Sequence, residues 1–130
     1  SFAGLAGAPG MMTYGVSKAA VVAFSEQLRA ECHGTGVAVS VICPAFFKTN
    51  LMQSTVGTEK IKLLGQKMMD RSPDSLDQVA DRILADIAKQ RFLIIPTTNE
   101  PKSWRLKRFF PDWYFKELMK RVGGSSLRIK

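Results

Sequence analysis

The residues of this chain best suited to chemistry are Tyr14 and Lys18, with Ser1 thirteen positions before the tyrosine. Residues four apart on a helix project from the same face, so the phenol and the ammonium would lie one turn apart. An ammonium next to a phenol stabilises the phenolate, which lets the phenol give and take protons near neutral pH. The spacing therefore predicts a proton-transfer site built around a tyrosine.

A long helix is predicted to carry both residues. Residues 1–10 are small and glycine-rich, which indicates a loop in close contact with other backbone. The helical pattern then covers residues 11–33, and Gly34 is a typical helix stop. Lys18 is the only charge in the nearly all-apolar stretch 15–24. We therefore expect this helix to be buried, against a sheet or another subunit.

Two buried strands follow the long helix. Residues 37–43 form a continuous, mostly β-branched run ended by Pro44, and residues 92–95 form a shorter run ended by Pro96. Both patterns are typical of a parallel sheet that is covered on its two faces. Since two strands are too few for such a sheet, and the chain opens on serine in mid-pattern, we expect further sequence upstream.

The segment between the strands is predicted to be helical in two places. Residues 50–70 indicate a short helix and a loop, and Ser72-Pro73-Asp74 is typical of a helix start. Apolar residues with a 3.6-residue period then predict an amphipathic helix over residues 74–90. Helices alternating with strands indicate an α/β fold with a parallel sheet.

Composition limits the classes to which the chain can belong. Its 130 residues suit one modest domain, and no apolar run approaches the ~18 residues that span a bilayer. Cys32 and Cys43 form no C-x-x-C motif, and one histidine cannot complete a metal site with them. We therefore predict no metal, two free thiols and a cytoplasmic location, with membrane association left open.

Several motifs together resemble the short-chain dehydrogenase/reductase family over residues 1 to about 96. The matching text, in chain order, is Ser1, Pro9-Gly10, Tyr14-Gly15-Val16-Ser17-Lys18-Ala19-Ala20, Val41-Ile42-Cys43-Pro44 and Thr49. The chain departs from the family at Ala45, where glycine usually follows the proline. The glycine-rich phosphate-binding turn, the ribose-selecting residue and the upstream catalytic asparagine of the family are absent from this sequence. The resemblance therefore implies NAD or NADP without distinguishing them.

The resemblance assigns roles to individual residues. Tyr14 would be the acid/base that exchanges a proton with the substrate oxygen. Lys18 would tune Tyr14 and bind the nicotinamide ribose, and Ser1 would hold the substrate oxygen. The implied cofactor-binding residues are Tyr14, Lys18, Pro44, Ala45, Phe47 and Thr49. The implied substrate-binding residues are Ser1, Tyr14, Phe46 and Met52.

As a whole, the resemblance implies the C-terminal part of a Rossmann-type doubly wound parallel sheet over residues 1–100. The implied activity is NAD(P)-dependent interconversion of a ketone or aldehyde with an alcohol, in a homo-oligomer. We expect these 130 residues alone to bind cofactor poorly and to be inactive. The alternative is a truncated, non-catalytic member of the family that serves as a binding or membrane-associated module.

The predicted substrate loop, residues 45–71, is rich in large apolar side chains. They are Phe46, Phe47, Leu51, Met52, Leu63, Leu64, Met68 and Met69. Such residues suit an adaptable apolar pocket, which favours an apolar ketone or secondary alcohol as substrate. The alternative is that they pack a small core within the loop itself.

The last thirty residues form a distinct basic and aromatic extension. Residues 101–130 hold nine Lys or Arg against two Asp or Glu, so they carry +7 of the net charge of +8. They also hold both tryptophans, and helices are predicted over 102–110 and 112–122 with a break at Pro111. Three interpretations remain: contact with an anionic membrane, packing on the chain's own domain or a second subunit, and nucleic-acid binding. Nucleic acid is the least favoured, and we expect no such partner.

Overall fold

The computed structural model of the chain describes residues 1–7, 9–51 and 59–122. A short 3₁₀-helix, Phe2–Gly4, precedes five α-helices and two strands. The elements are α1 (Met12–Glu31), β1 (Val41–Ile42), α2 (Glu59–Asp70), α3 (Leu76–Ala88), β2 (Leu93–Ile94), α4 (Glu100–Phe109) and α5 (Pro111–Val122). The order of helices and strands agrees with the α/β pattern predicted from the sequence.

The two strands pair in parallel, as predicted. Val41 lies opposite Leu93, and the Val41 N–H donates to the Phe92 carbonyl at 2.7 Å. The Cys43 N–H donates to the Ile94 carbonyl at 2.8 Å. Both strands are shorter than the predicted runs 37–43 and 92–95. Strand structure extends only as far as backbone pairing does, and among the described residues β1 and β2 pair with each other alone.

The core joins the N-terminal loop to the sheet and to the tail. Leu5, Val41 and Cys43 form a buried cluster, against which Val22 of α1 and Trp104 of α4 are packed. Cys43 is completely buried, and this burial raises the pKa of its thiol. The first residues of the chain are therefore fixed to the carboxyl end of β1.

Within this chain, the described residues bury only one stripe of α1, so the predicted cover by a sheet or another subunit is not supplied by them. Val16 and Phe24 are each 65% exposed, and Ser25 is the buried residue of the helix. A sheet of two strands covers too little surface to bury a helix of this length, because only one stripe of α1 faces the core. The apolar residues on its other sides remain in contact with solvent.

Local signals account for most helix ends. Gly34 has a φ of +79° just beyond α1, as expected of a glycine stop, and Pro111 begins α5 at the predicted break. The start of α3 differs from the prediction. Ser75 caps the helix in a reciprocal pair with Gln78, so α3 begins after Asp74 rather than at it.

Three negative findings apply to the described part of the chain. None of its helices combines the length and apolar character needed to cross a bilayer. Among the same residues, no three His, Cys, Asp or Glu side chains come together where they could hold a metal ion. Cys32 and Cys43 are both free thiols.

Candidate active site

The first two turns of α1 carry Tyr14 and Lys18. The Lys18 Nζ lies 5.4 Å from the centroid of the Tyr14 ring, so the two side chains are neighbours on one face of the helix. Tyr14 is 42% exposed and Lys18 is half-buried. The Ser17 hydroxyl, between them in sequence, donates to the Tyr14 carbonyl at 2.8 Å and has a local role.

The backbone after Ser1 lies directly on α1 beside this pair. A Cβ placed on Gly4 would lie 2.5 Å from the carbonyl oxygen of Lys18, closer than any side chain can approach. The contact is reciprocal, because a Cβ on Gly15 would lie 3.7 Å from the Ala3 carbonyl oxygen. Glycine at position 4 therefore lets the loop that begins at Ser1 reach the turn containing Lys18.

The same loop is bonded to the end of β1. The Phe2 N–H donates to the Pro44 carbonyl at 2.8 Å, and the Ser1 nitrogen lies 3.4 Å from the Ile42 carbonyl oxygen. The Ser1 Oγ accepts from the Ala3 N–H at 3.3 Å, and the serine is half-buried. Three segments thus meet: residues 1–7, named the serine loop, the Tyr14–Lys18 turn and the carboxyl end of β1.

The loop after Pro44 is held by the segments that follow β2 and precede α3. The Ala45 N–H donates to the Thr97 Oγ1 at 3.4 Å, and the Lys48 N–H donates to the Asp74 carbonyl at 3.4 Å. Thr49 is half-buried, and its Oγ1 accepts from the Leu51 N–H at 3.2 Å. Phe47 is also half-buried. The implied cofactor-side residues are therefore presented by a loop with defined supports.

Asp74, whose main-chain carbonyl provides one of these supports, also carries a buried carboxylate that sequence reasoning missed. Asp74 is 2% exposed, and its carboxylate accepts from the Thr98 N–H at 2.8 Å and the Thr98 hydroxyl at 2.5 Å. Arg82 donates to the same carboxylate at 2.6 Å and to the Pro96 carbonyl at 2.9 Å. Burial alone would raise the pKa of the Asp74 carboxyl, but the bonds from Thr98 and Arg82 outweigh it and lower that pKa.

Asp74→Asn is expected to lower the free energy of unfolding near pH 7 by about 1–3 kcal/mol, because it weakens a buried charge-assisted network. A carboxyl with a lowered native pKa stabilises the fold above its unfolded pKa, about 3.9, and this contribution is lost as pH falls through the native value. The variant should therefore lose less stability than the parent chain on acidification. Urea unfolding at a series of pH values measures both effects.

Asp81→Asn is the matched control for that experiment. Asp81 is an exposed carboxylate on α3, the helix that follows Asp74, so its replacement should change stability by less than about 0.5 kcal/mol. Equal stability and equal acid sensitivity of the two variants would show that the Asp74 network contributes nothing measurable.

The predicted substrate loop is only partly described. Phe46 is half-buried, whereas Met52 lies outside the described residues. Met69 is 3% exposed and is one of the buried apolar residues of the chain. Phe47 is half-buried, and three other apolar residues of the loop are exposed: Leu51 at 57%, Leu63 at 69% and Met68 at 45%. These three can contribute to an apolar surface.

A cavity of about 570 Å³ lies elsewhere, between α1, β2 and α4. Its lining includes Gly4, Val22, Trp104 and Lys107, whereas Tyr14 and Lys18 are not among the lining residues. The cavity therefore shares the loop that contains Gly4 with the tyrosine site, but not the tyrosine and the lysine themselves.

Comparison with known proteins agrees with the motif-based assignment. The family model described as short chain dehydrogenase matches residues 1–60. "Probable oxidoreductase EphD" of Mycobacterium tuberculosis is 34% identical over 100 residues, which is 70% of this chain and 17% of that protein. Dehydrogenase/reductase SDR family member 7B of Danio rerio is 27% identical over 118 residues, 88% of this chain and 37% of that protein.

A third relative is more similar over a shorter stretch. "Inactive 2-(S)-hydroxypropyl-CoM dehydrogenase 2" of Xanthobacter autotrophicus is 48% identical over 44 residues, 34% of this chain and 19% of that protein. The chain thus spans between 17% and 37% of the length of these three relatives.

These matches identify the chain as part of a short-chain dehydrogenase/reductase. The family has a Rossmann-like fold, with which a helix-rich α/β arrangement around a small parallel sheet is compatible. Members of this family are oxidoreductases, so the chain comes from an oxidoreductase family that generally uses NAD(P).

Proposed function

We propose that the natural polypeptide carrying this chain interconverts a ketone or aldehyde with an alcohol, using NAD or NADP. The observation that carries the proposal is the meeting of three segments at one place. The Phe2–Pro44 hydrogen bond of 2.8 Å and the close approach of Gly4 to Lys18 bring Ser1 towards the Tyr14–Lys18 turn. An acid/base, a cation and a hydroxyl donor are the groups that carbonyl reduction needs from a protein.

Each of these groups has a proposed task. The Tyr14 hydroxyl gives a proton to the carbonyl oxygen during reduction and removes it from the alcohol during oxidation. The Lys18 ammonium, 5.4 Å from the ring centroid, stabilises negative charge that develops on the phenol oxygen. The Ser1 hydroxyl donates to the substrate oxygen and holds it within reach of Tyr14.

The Tyr14–Lys18 pair and the loop after Pro44 suit the nicotinamide half of a dinucleotide. The bound cofactor would supply the hydride. Lys18 and Tyr14 have no hydrogen-bond partners for their side chains among the described residues, so they can bind ribose hydroxyls. The loop that carries Pro44, Ala45, Phe47 and Thr49 is proposed to line the nicotinamide, and the hydroxyl of Thr49 suits its carboxamide.

The apolar side chains of the substrate loop support an apolar substrate. Leu51, Leu63 and Met68 are 45–69% exposed and would be covered by a hydrophobic ligand. We expect a long-chain ketone to be reduced with a kcat/KM at least about tenfold above that of a short polar ketone. The loss of reduced nicotinamide absorbance with each substrate measures the ratio in the natural polypeptide.

A variant at Met68 distinguishes an effect on substrate binding from an effect on the catalytic step. Met68→Gln should reduce the rate on the long-chain ketone and leave the rate on the short one nearly unchanged. Gln66→Glu, at an exposed polar position of the same helix, serves as the control. Preference for the short polar ketone would contradict the proposed substrate class and leave the oxidoreductase assignment intact.

A non-catalytic binding module is the second candidate. The observation in its favour is the 48% identity over 44 residues to a relative named inactive. This candidate predicts that the natural polypeptide binds a nicotinamide cofactor, or a partner, without turnover on any carbonyl.

A homo-oligomer is proposed as well. The exposed Val16, Val21 and Phe24 on α1 support this, because a second copy could cover them.

A further inference from the structure

The C-terminal helices are attached to the domain through one side of α4. Trp104 packs against the cluster of Leu5, Val41 and Cys43, and the Lys107 ammonium donates to the Leu5 carbonyl. The Arg108 guanidinium lies 5.8 Å from the centre of the Trp104 ring. The tail is therefore a docked element of the fold, and its orientation on the domain is fixed from this side.

The opposite side of α4 combines cations with an exposed aromatic ring. Lys102, Arg105 and Phe109 recur at intervals of three and four residues, so they share one face, and Trp104 lies on the other. Phe109 is 68% exposed, and both cations are exposed as well. Attachment through Trp104 consequently leaves this face directed away from the core.

More exposed aromatic residues lie where α4 meets α5. Phe110 is 61% and Trp113 is 56% exposed, and their rings meet edge to face with centroids 6.5 Å apart. We name Phe109, Phe110 and Trp113 the aromatic elbow. Leaving three large rings more than half exposed is costly in water, and such patches mark surfaces that bind another apolar phase.

The charges around the aromatic elbow identify the partner. Lys102, Arg105 and Lys116 are exposed, and none forms an ion pair with a carboxylate of the described chain. Lys120, by contrast, is bonded to Glu117 at 2.6 Å. Aromatic rings beside unpaired cations match an anionic bilayer, where rings enter the headgroup region and cations meet lipid phosphates.

Two other possible partners of the aromatic elbow, a second copy of the chain and a nucleic acid, fit its charges and rings less well. A second copy would bring together two tails of net charge +7, which repel each other. Nucleic-acid bases stack on open ring faces, whereas Phe110 and Trp113 partly cover each other. We propose that the aromatic elbow binds the surface of an anionic phospholipid bilayer, with Lys102, Arg105 and Lys116 supplying the electrostatic attraction. This proposal does not depend on the proposed oxidoreductase activity.

Vesicle sedimentation tests the proposal with the full 130-residue chain. We expect it to sediment with vesicles of phosphatidylcholine and phosphatidylserine, to do so much less with phosphatidylcholine alone, and to be released by salt. Replacing Phe109, Phe110 and Trp113 together by alanine should lower the partition coefficient at least about tenfold. Lys102→Gln with Arg105→Gln should lower it about tenfold on anionic vesicles only.

Phe24→Ala is the matched control, because Phe24 is 65% exposed but lies on α1, away from the aromatic elbow. It should leave partitioning unchanged. Trp104→Phe makes Trp113 the single tryptophan, and its emission should shift to shorter wavelength when anionic vesicles are added. Equal partitioning of the parent chain and the elbow variant would overturn the proposal. So would equal binding to neutral and anionic vesicles, displacement by RNA, or a dimer disrupted by the elbow substitutions.

Discussion

Replacing Tyr14 by phenylalanine is expected to lower the turnover number of the natural polypeptide by a factor of about 10²–10⁴ or more. The substitution removes one oxygen atom and keeps the ring beside Lys18, so the packing of α1 is preserved. Without the hydroxyl, the proposed proton donor to the carbonyl oxygen is missing as the hydride arrives. Initial rates with saturating ketone and reduced cofactor, followed by nicotinamide absorbance, measure the effect.

Two controls separate chemistry from binding. The affinity of Tyr14→Phe for the reduced cofactor should remain within about threefold of the parent, because Lys18, the proposed ribose contact, is unchanged. Ser17→Ala removes a hydroxyl from the same turn of α1, where it donates to the Tyr14 carbonyl at 2.8 Å. Its turnover should be nearly unchanged. Retained turnover in Tyr14→Phe would remove the tyrosine from the proposed mechanism.

The sequence was sufficient to predict those features that depend on residues close together in the chain. Gly34 and Pro111 mark helix boundaries because a positive φ and a missing N–H act within one turn. The four-residue spacing of Tyr14 and Lys18 placed them on one face for the same reason. The parallel pairing of β1 and β2 also followed, since a helix between two buried strands favours it.

What the sequence did not reveal depends on contacts between distant residues. Asp74 is separated from Thr98 by 24 positions, and no periodicity indicates that its carboxylate bonds there instead of capping α3. The exposure of α1 within this chain also depends on distant residues. An all-apolar helix indicates that a sheet or another subunit covers it, and the two-stranded sheet of this chain covers only one stripe. An apolar sequence pattern predicts that a surface is buried, whereas only the folded structure shows which residues cover it.

Gly4 is the position where a single methyl group should damage the site most. In Gly4→Ala the new Cβ would lie 2.5 Å from the Lys18 carbonyl oxygen and 2.7 Å from its carbonyl carbon, both of them backbone atoms in a helix. Because neither can rotate away, the loop must move off α1 and carry Ser1 with it. A shift of about 1 Å in a substrate-holding group costs on the order of 10²-fold in rate. We expect a fall of that size in kcat/KM, and a loss of about 1–3 kcal/mol in the free energy of unfolding.

Gly7→Ala provides the control within the same loop, because a Cβ at Gly7 would meet no atom within 4 Å. It should change stability by less than about 0.5 kcal/mol and leave kcat/KM unaltered. Thermal unfolding of both variants, measured beside their rates, separates a misplaced Ser1 from a chain that does not fold. The Gly4→Ala defect should persist at temperatures where the variant is fully folded, since it arises from the position of Ser1 relative to Tyr14. Equal activity of Gly4→Ala and Gly7→Ala at temperatures where both are folded would contradict this prediction. It would show that the close contact between the serine loop and Lys18 does not position the substrate.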